Sequence, residues 1–174
     1  MIRKLSYYGN KILRTKCEPV GEITEEVKAL AQDLIDTMNE MHGAGLAAPQ
    51  VGVAKRMFAS CYVGDDDKGS PVMGEPFIVI DPVITITSEV EREEDEGCLS
   101  LPGLYGAVQR PFDIEVEYTN LEGKRIKEKA SGWKARCILH ENDHINGVLY
   151  IDRMDKEERQ VLEPRLRLIK KKYS

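Results

Sequence analysis

The stretch CILHENDHI, residues 137–145, decides how the chain is read. It follows Gly132, and Cys137, Ile138, His140, Glu141, His144 and Ile145 fall at helical spacing. On a helix, His140 and His144 stand one above the other, so both imidazoles reach a single metal ion. Glu141 lies beside the first histidine, where its carboxylate can face a water at that ion.

A catalytic zinc-like site takes three protein ligands and keeps a position for water. The third ligand is open among several residues. The longer pattern H-E-x-x-H-x-x-G-x-x-H holds through Gly147 but has Tyr150 in place of its last histidine. A downstream glutamate could be Glu157, Glu158 or Glu163, all in a charged helix. Cys98, within EGCLSLPG (96–103) and behind the acidic run Glu91 to Glu96, offers a thiolate. Cys137, three residues before His140 on the same face, offers another thiolate or packs as a small hydrophobe. Cys17, Cys61 and His42 have no sequence partner that lifts them above structural roles.

Upstream, Val27, Leu30, Ala31, Leu34, Ile35, Met38 and Met41 recur at three- and four-residue steps, with Thr24 as N-cap. This predicts an amphipathic helix within 22–42. The following GAGLAAPQVG (43–52), small residues with a proline, reads as a loop that lets backbone approach a ligand. Strands are predicted at Met57 to Val63, Phe77 to Ile80, Val83 to Thr87, Ile114 to Tyr118 and Lys124 to Ala130, the last two joined by a turn at Asn120 to Gly123. A final helix spans roughly Lys156 to Tyr173, with a kink expected at Pro164. The whole, residues 1–174, reads as one α+β domain: antiparallel or mixed sheet packed around a central metal-binding helix, closed by a C-terminal helix.

Composition narrows the function classes. The chain has 25 Lys plus Arg against 30 Asp plus Glu, a net charge of −5, which argues against a dedicated nucleic-acid or specific DNA binder. No apolar run approaches the roughly 20 residues of a membrane span, and charges interrupt MIRKLSYYGNKILRTK too often for a signal-peptide core. A cytoplasmic protein is expected. Four widely spaced cysteines form neither a disulfide framework nor a four-cysteine zinc knot.

Taken together and in order, GAGLAAPQVG, EGCLSLPG and HENDH resemble the three signature motifs of the peptide deformylases, with YYGNKILR (7–14) and YIDRM (150–154) extending the resemblance over most of the chain. The resemblance implies a metal-dependent hydrolase that removes the formyl group from formyl-methionine at the N-terminus of nascent polypeptides and releases formate. It implies Cys98, His140 and His144 as metal ligands and Glu141 as general acid/base. It implies Gln50 and the backbone N–H of Leu99 as oxyanion stabilisers, and Gly45 and Leu46 as backbone positions lining the substrate groove. Fe²⁺ is the implied metal, with Zn²⁺, Ni²⁺ or Co²⁺ able to occupy the site.

Two positions depart from the family pattern: Ala44 stands where a larger β-branched residue is common, and Leu139 replaces the usual glutamine before the first histidine. The walls of the methionine pocket are expected near Gly45 and around Arg136, Cys137 and His140. Arg159, Arg165, Arg167 and Lys170 to Lys172 cluster on the last helix, a candidate for weak contact with ribosomal RNA. The rival readings are a metallo-endopeptidase with a downstream glutamate ligand and a non-catalytic protein with a structural metal; neither gives Gln50 or EGCLSLPG a role.

Overall fold

The computed structural model describes residues 1–173. Helix α1 (Glu25–Glu40) starts where expected: the Thr24 hydroxyl accepts the Val27 N–H, and Glu25 and Glu26 sit in the positive first turn. It ends as His42 turns to φ 54° and the Gly43 N–H closes on the Met38 carbonyl at 2.9 Å.

Strand β1 (Gly45–Ala47) follows, then a 3₁₀ turn at Ala48–Val51, β2 (Met57–Asp65) and β3 (Pro71–Ile86). Strands β4 (Glu91–Gly97) and β5 (Tyr105–Pro111) pair only with each other. After β6 (Asp113–Thr119) and β7 (Arg125–Ser131) come helix α2 (Gly132–Ile145), a 3₁₀ turn at Tyr150–Asp152 and helix α3 (Lys156–Tyr173). The larger sheet has the order β1-β2-β3-β6-β7. Every strand pair is antiparallel.

The two faces of that sheet follow from strand periodicity. In β2, Met57, Ala59 and Cys61 pack toward Leu30, Leu34 and Met38 of α1, whereas Phe58 between them joins Ala135, Ile138 and Ile145 of α2. The same alternation sends Ile78 and Ile80 of β3 to the first cluster and Val79 to the second. The sheet is thus sandwiched between α1 and α2. A third cluster gathers Leu101, Leu104 and Val108 from the β4–β5 region with Leu13, Tyr150 and Leu166.

Several expectations need correction. GAGLAAPQVG is not a plain loop: Gly45, Leu46 and Ala47 pair with Ser60, Ala59 and Phe58, and Leu46 through Gln50 are buried. The two strands expected at Phe77 to Ile80 and Val83 to Thr87 are one, β3, which continues through an irregularity between Ile80 and Val83. There Asp81 takes φ 48° and its carboxylate accepts the Val20 and Gly21 N–H groups, so bonds to a distant part of the chain cover the break. The β4–β5 pair is not evident from the sequence, because its first strand is an acidic run that reads as solvated loop. Helix α3, by contrast, has the expected extent, with Pro164 inside it.

Candidate metal centre

Two histidines one helical turn apart on α2 meet the cysteine that follows β4. The ligand-capable atoms of Cys98, His140 and His144 all lie within 4.8 Å of one another. Cys98 Sγ is 3.3 Å from His144 Nε2, and the two imidazole centroids are 5.1 Å apart at 66°. His140 Nδ1 lies 2.9 Å from Glu96 Oε2. Since a carboxylate only accepts, Nδ1 donates a proton to Glu96, which leaves Nε2 as the ring atom able to face a metal once it is deprotonated. Two imidazoles and a thiolate are a donor set suited to a divalent transition metal. Two buried polar atoms in the same place, Glu141 Oε2 and His144 Nδ1, have no protein partner. The residues therefore fit a divalent ion.

A buried ionic lattice supports this group from behind. Glu96 accepts from Arg110 Nε and Nη2 at 2.7 and 2.9 Å and from Arg136 Nη1 at 2.8 Å. Arg110 Nη1 continues to Asp143 at 2.7 Å, and Asp143 also receives two bonds from Arg153 at 2.6 and 2.7 Å. Burial alone would raise the Glu96 pKa, but Arg110 and His140 hold it well below the carboxylate range. Burial opposes the Arg110 charge too, and Glu96 with Asp143 outweighs it, raising the arginine. Sequence reasoning misses Glu96, Arg110, Arg136 and Asp143 as support for the candidate ligands. The available signal is the alternation of buried Gly106, Val108 and Arg110, which puts an arginine on the inward face of β5.

Glu141 lies next to this group with its carboxylate buried. Burial raises its pKa to about 7; the His140 charge opposes that shift and the Glu96 charge adds to it. Burial, assisted by the charges of His140 and Arg110, keeps His144 well below the usual imidazole value. For His140 burial acts in the same direction, but the contacts to Cys98 and Glu96 prevail and raise it.

The other expected site residues separate. Gln50 is 1% exposed; its Oε1 accepts the Ala47 N–H at 2.9 Å, and its Nε2 donates to Ser100 Oγ at 3.1 Å and faces Cys98 Sγ at 3.5 Å. Gln50, Leu99, Gly45, Cys137, Glu141 and the candidate ligands Cys98 and His140 line one cavity of about 580 Å³. The Leu46 side chain lies in the α1 cluster. Cys137 is outside the ligand group: its Sγ donates toward the Ala44 carbonyl at 3.5 Å and accepts from Ser60 Oγ at 3.2 Å. Burial pushes its thiol well up, which disfavours the thiolate a ligand must be. Glu157 and Glu158 are exposed on α3, and Glu163 accepts from Arg167; among the described residues none joins the ligand cluster. Tyr150, where the longer pattern wanted a histidine, donates its hydroxyl to the Leu104 carbonyl. Cys17 and Cys61 are buried in the packed clusters.

Comparison with known proteins agrees with this geometry. Residues 2–160 match the family model described as polypeptide deformylase. A curated peptide deformylase of Fusobacterium nucleatum is 37% identical over 173 residues, covering 98% of this chain and 94% of that one. The solved peptide deformylase of Thermus thermophilus superposes with a TM-score of 0.87 at 36% identity, covering 99% of each chain. That of Ehrlichia chaffeensis in complex with actinonin gives a TM-score of 0.86 at 33% identity, covering 98% of this chain and 97% of that one. With the downstream glutamates away from the centre, these likenesses set the endopeptidase reading aside.

Proposed function

The chain belongs to the polypeptide deformylase family, and from that premise we propose that it hydrolyses the formyl amide of N-terminal formyl-methionine on nascent polypeptides, releasing formate. The observation that carries this reading is the convergence of Cys98, His140 and His144 beside the partnerless carboxylate oxygen of Glu141 in one cavity. A divalent ion held by these three residues would supply Lewis acidity, polarising a water and the formyl carbonyl at neutral pH. Fe²⁺ is the proposed resident ion, with Zn²⁺, Ni²⁺ and Co²⁺ as replacements.

In this reading Glu141 takes a proton from the attacking water and returns it to the departing amine, and its buried, partnerless carboxylate oxygen beside the ligand group suits both tasks. Gln50 is held through Oε1 and through one Nε2–H to Ser100, and its other Nε2–H, which faces Cys98 Sγ, would turn with the Leu99 N–H to the oxyanion of the attacked formyl group. Glu96 fixes the ring of His140. Cys137 contributes to the wall of the methionine pocket.

Strand β1 is paired on one side only, and Gly45 lies at the cavity. Its open edge, at Gly45 and Leu46, offers backbone groups to an extended peptide, a mode that accepts many sequences. Residues 1–174 serve as one catalytic unit, and the setting is cytoplasmic. Among the described residues no helix is long and apolar enough to cross a membrane. The ribosome contact proposed for α3 is a weak one: Arg167 faces Glu163, Arg159 faces Asp152, and Arg165 donates to the Gly103 carbonyl.

The test is formate release from formyl-Met-Ala-Ser by protein purified without oxygen and loaded with Fe²⁺, beside acetyl-Met-Ala-Ser. Rapid formate with little acetate is expected. Metal-loaded protein that releases neither would overturn the reading.

A further inference from the structure

We propose that Tyr105 determines substrate preference: its ring is a stacking platform for the side chain that follows the formyl-methionine. This rests on the deformylase reading above. Tyr105 is 67% exposed, the most exposed aromatic side chain among the described residues, and it lines the same cavity as Cys98 and Glu141. An aromatic ring left in water at the mouth of a reaction cavity is a cost that folding does not require.

The ring also has a seat on the neighbouring strand. Tyr105 on β5 pairs directly with Gly97 on β4, and a Cβ built on Gly97 would lie 2.6 Å from Tyr105 Cε1 and 2.8 Å from Cδ1. The ring therefore lies across the glycine, as aromatics do over a bare position in a neighbouring strand. No hydrogen bond holds the phenol among the described residues, so the packing on Gly97 sets the ring's position and its other surface is available. A pre-positioned aromatic with few free torsions binds a partner at low entropic cost.

Its location fits the second residue of a peptide. Gly97 immediately precedes the ligand Cys98, and directly paired residues on antiparallel strands are roughly 4.5–5.5 Å apart between Cα atoms. An extended peptide advances about 3.3–3.6 Å per residue. With the formyl carbon at the ligand group, these spacings leave Tyr105 within reach of the residue that follows the methionine. A π face accepts aromatic side chains best and excludes none, so the effect is a graded preference.

The experiment compares kcat/KM for formyl-Met-Phe-Ser and formyl-Met-Ala-Ser with the metal-loaded full chain and its Tyr105→Ala and Tyr105→Phe variants. The wild-type protein should favour the Phe peptide by about five-fold, the range of one aromatic pair, and chiefly through KM. Tyr105→Phe should keep that preference, and Tyr105→Ala should bring the ratio close to one. Equal kcat/KM for both peptides with the wild type overturns the platform, as does an unchanged preference in Tyr105→Ala. A wild type without formate release from either peptide overturns the deformylase reading itself, and the platform with it.

Discussion

Gly45 and Glu141 touch across the cavity wall: a Cβ on Gly45 would collide with Glu141 Oε1 and lie 2.9 Å from its Cγ and Cδ. Strand β1 and helix α2 approach this closely only because residue 45 has no side chain. Gly45→Ala should displace the carboxylate while leaving Cys98, His140 and His144 in place. The expected result is a kcat lowered about 10²-fold, the effect of an ångström-scale misplacement, with metal content unchanged. A variant with wild-type kcat would show that the carboxylate's position is not critical.

Glu141 and Cys98 should fail differently. Glu141→Ala is expected to retain its metal and lose about 10²- to 10⁴-fold in turnover, the range for an acid/base group. Cys98→Ala should lose the metal itself. Metal analysis alongside kcat distinguishes the two, and a Glu141→Ala protein that turned over normally would remove the acid/base assignment.

Glu96 is the joint of the buried lattice, paired with Arg110 and Arg136 and bonded to His140. Its replacement by alanine removes the shared carboxylate of two buried guanidinium groups, leaving Arg110 with Asp143 and Arg136 with backbone carbonyls. Denaturant unfolding should show a loss of about 3–5 kcal/mol. Metal titration should show affinity lowered about 10- to 100-fold, since an orienting partner of a ligand histidine is gone. A fully stable, tightly binding Glu96→Ala protein would contradict both statements.

Asp152 supplies a pH dependence away from the metal. Burial would raise its carboxyl, but the Arg14 guanidinium and the Leu149 N–H hold it below the ordinary value. A carboxylate depressed in the folded state adds stability above its unfolded pKa of about 3.9, and loses it as pH falls through the lower folded value. Asp152→Asn should therefore melt below the wild type at pH 7. The gap in Tm should close on acidification below about pH 4. A gap independent of pH would mean that the bonds, and not the charge, carry the effect.

Much of the site was legible because its residues sit close together in sequence or carry distinctive chemistry. His140, Glu141 and His144 announce themselves by helical spacing, and α1 by its apolar stripe and its Thr24 cap. The support was not legible. Glu96 finds Arg110 fourteen residues away and Arg136 forty residues away, and nothing in an acidic run distinguishes the one carboxylate that turns inward. The β1 segment reads as loop because three residues of Gly, Leu and Ala carry little strand preference; tertiary pairing with β2 supplies what propensity lacks. Asp81 and Pro82 resemble the end of a strand, yet the ladder resumes at Val83 because Asp81 binds the Val20 and Gly21 amides across the irregularity.

The isolation of the β4–β5 pair from the larger sheet has a dynamic consequence. Cys98 is delivered by a small unit docked through Glu96 and the third apolar cluster, whereas both histidines ride on a helix packed against the main sheet. An ion held by Cys98 and the two histidines would join the two-stranded sheet to the main one, so part of its binding free energy would act as docking energy. Chelation should then be felt unevenly, with amide protons of Glu91–Pro111 exchanging sooner while those of β2 and β3 keep their protection. The metal would be a clasp between two regions as well as a reagent.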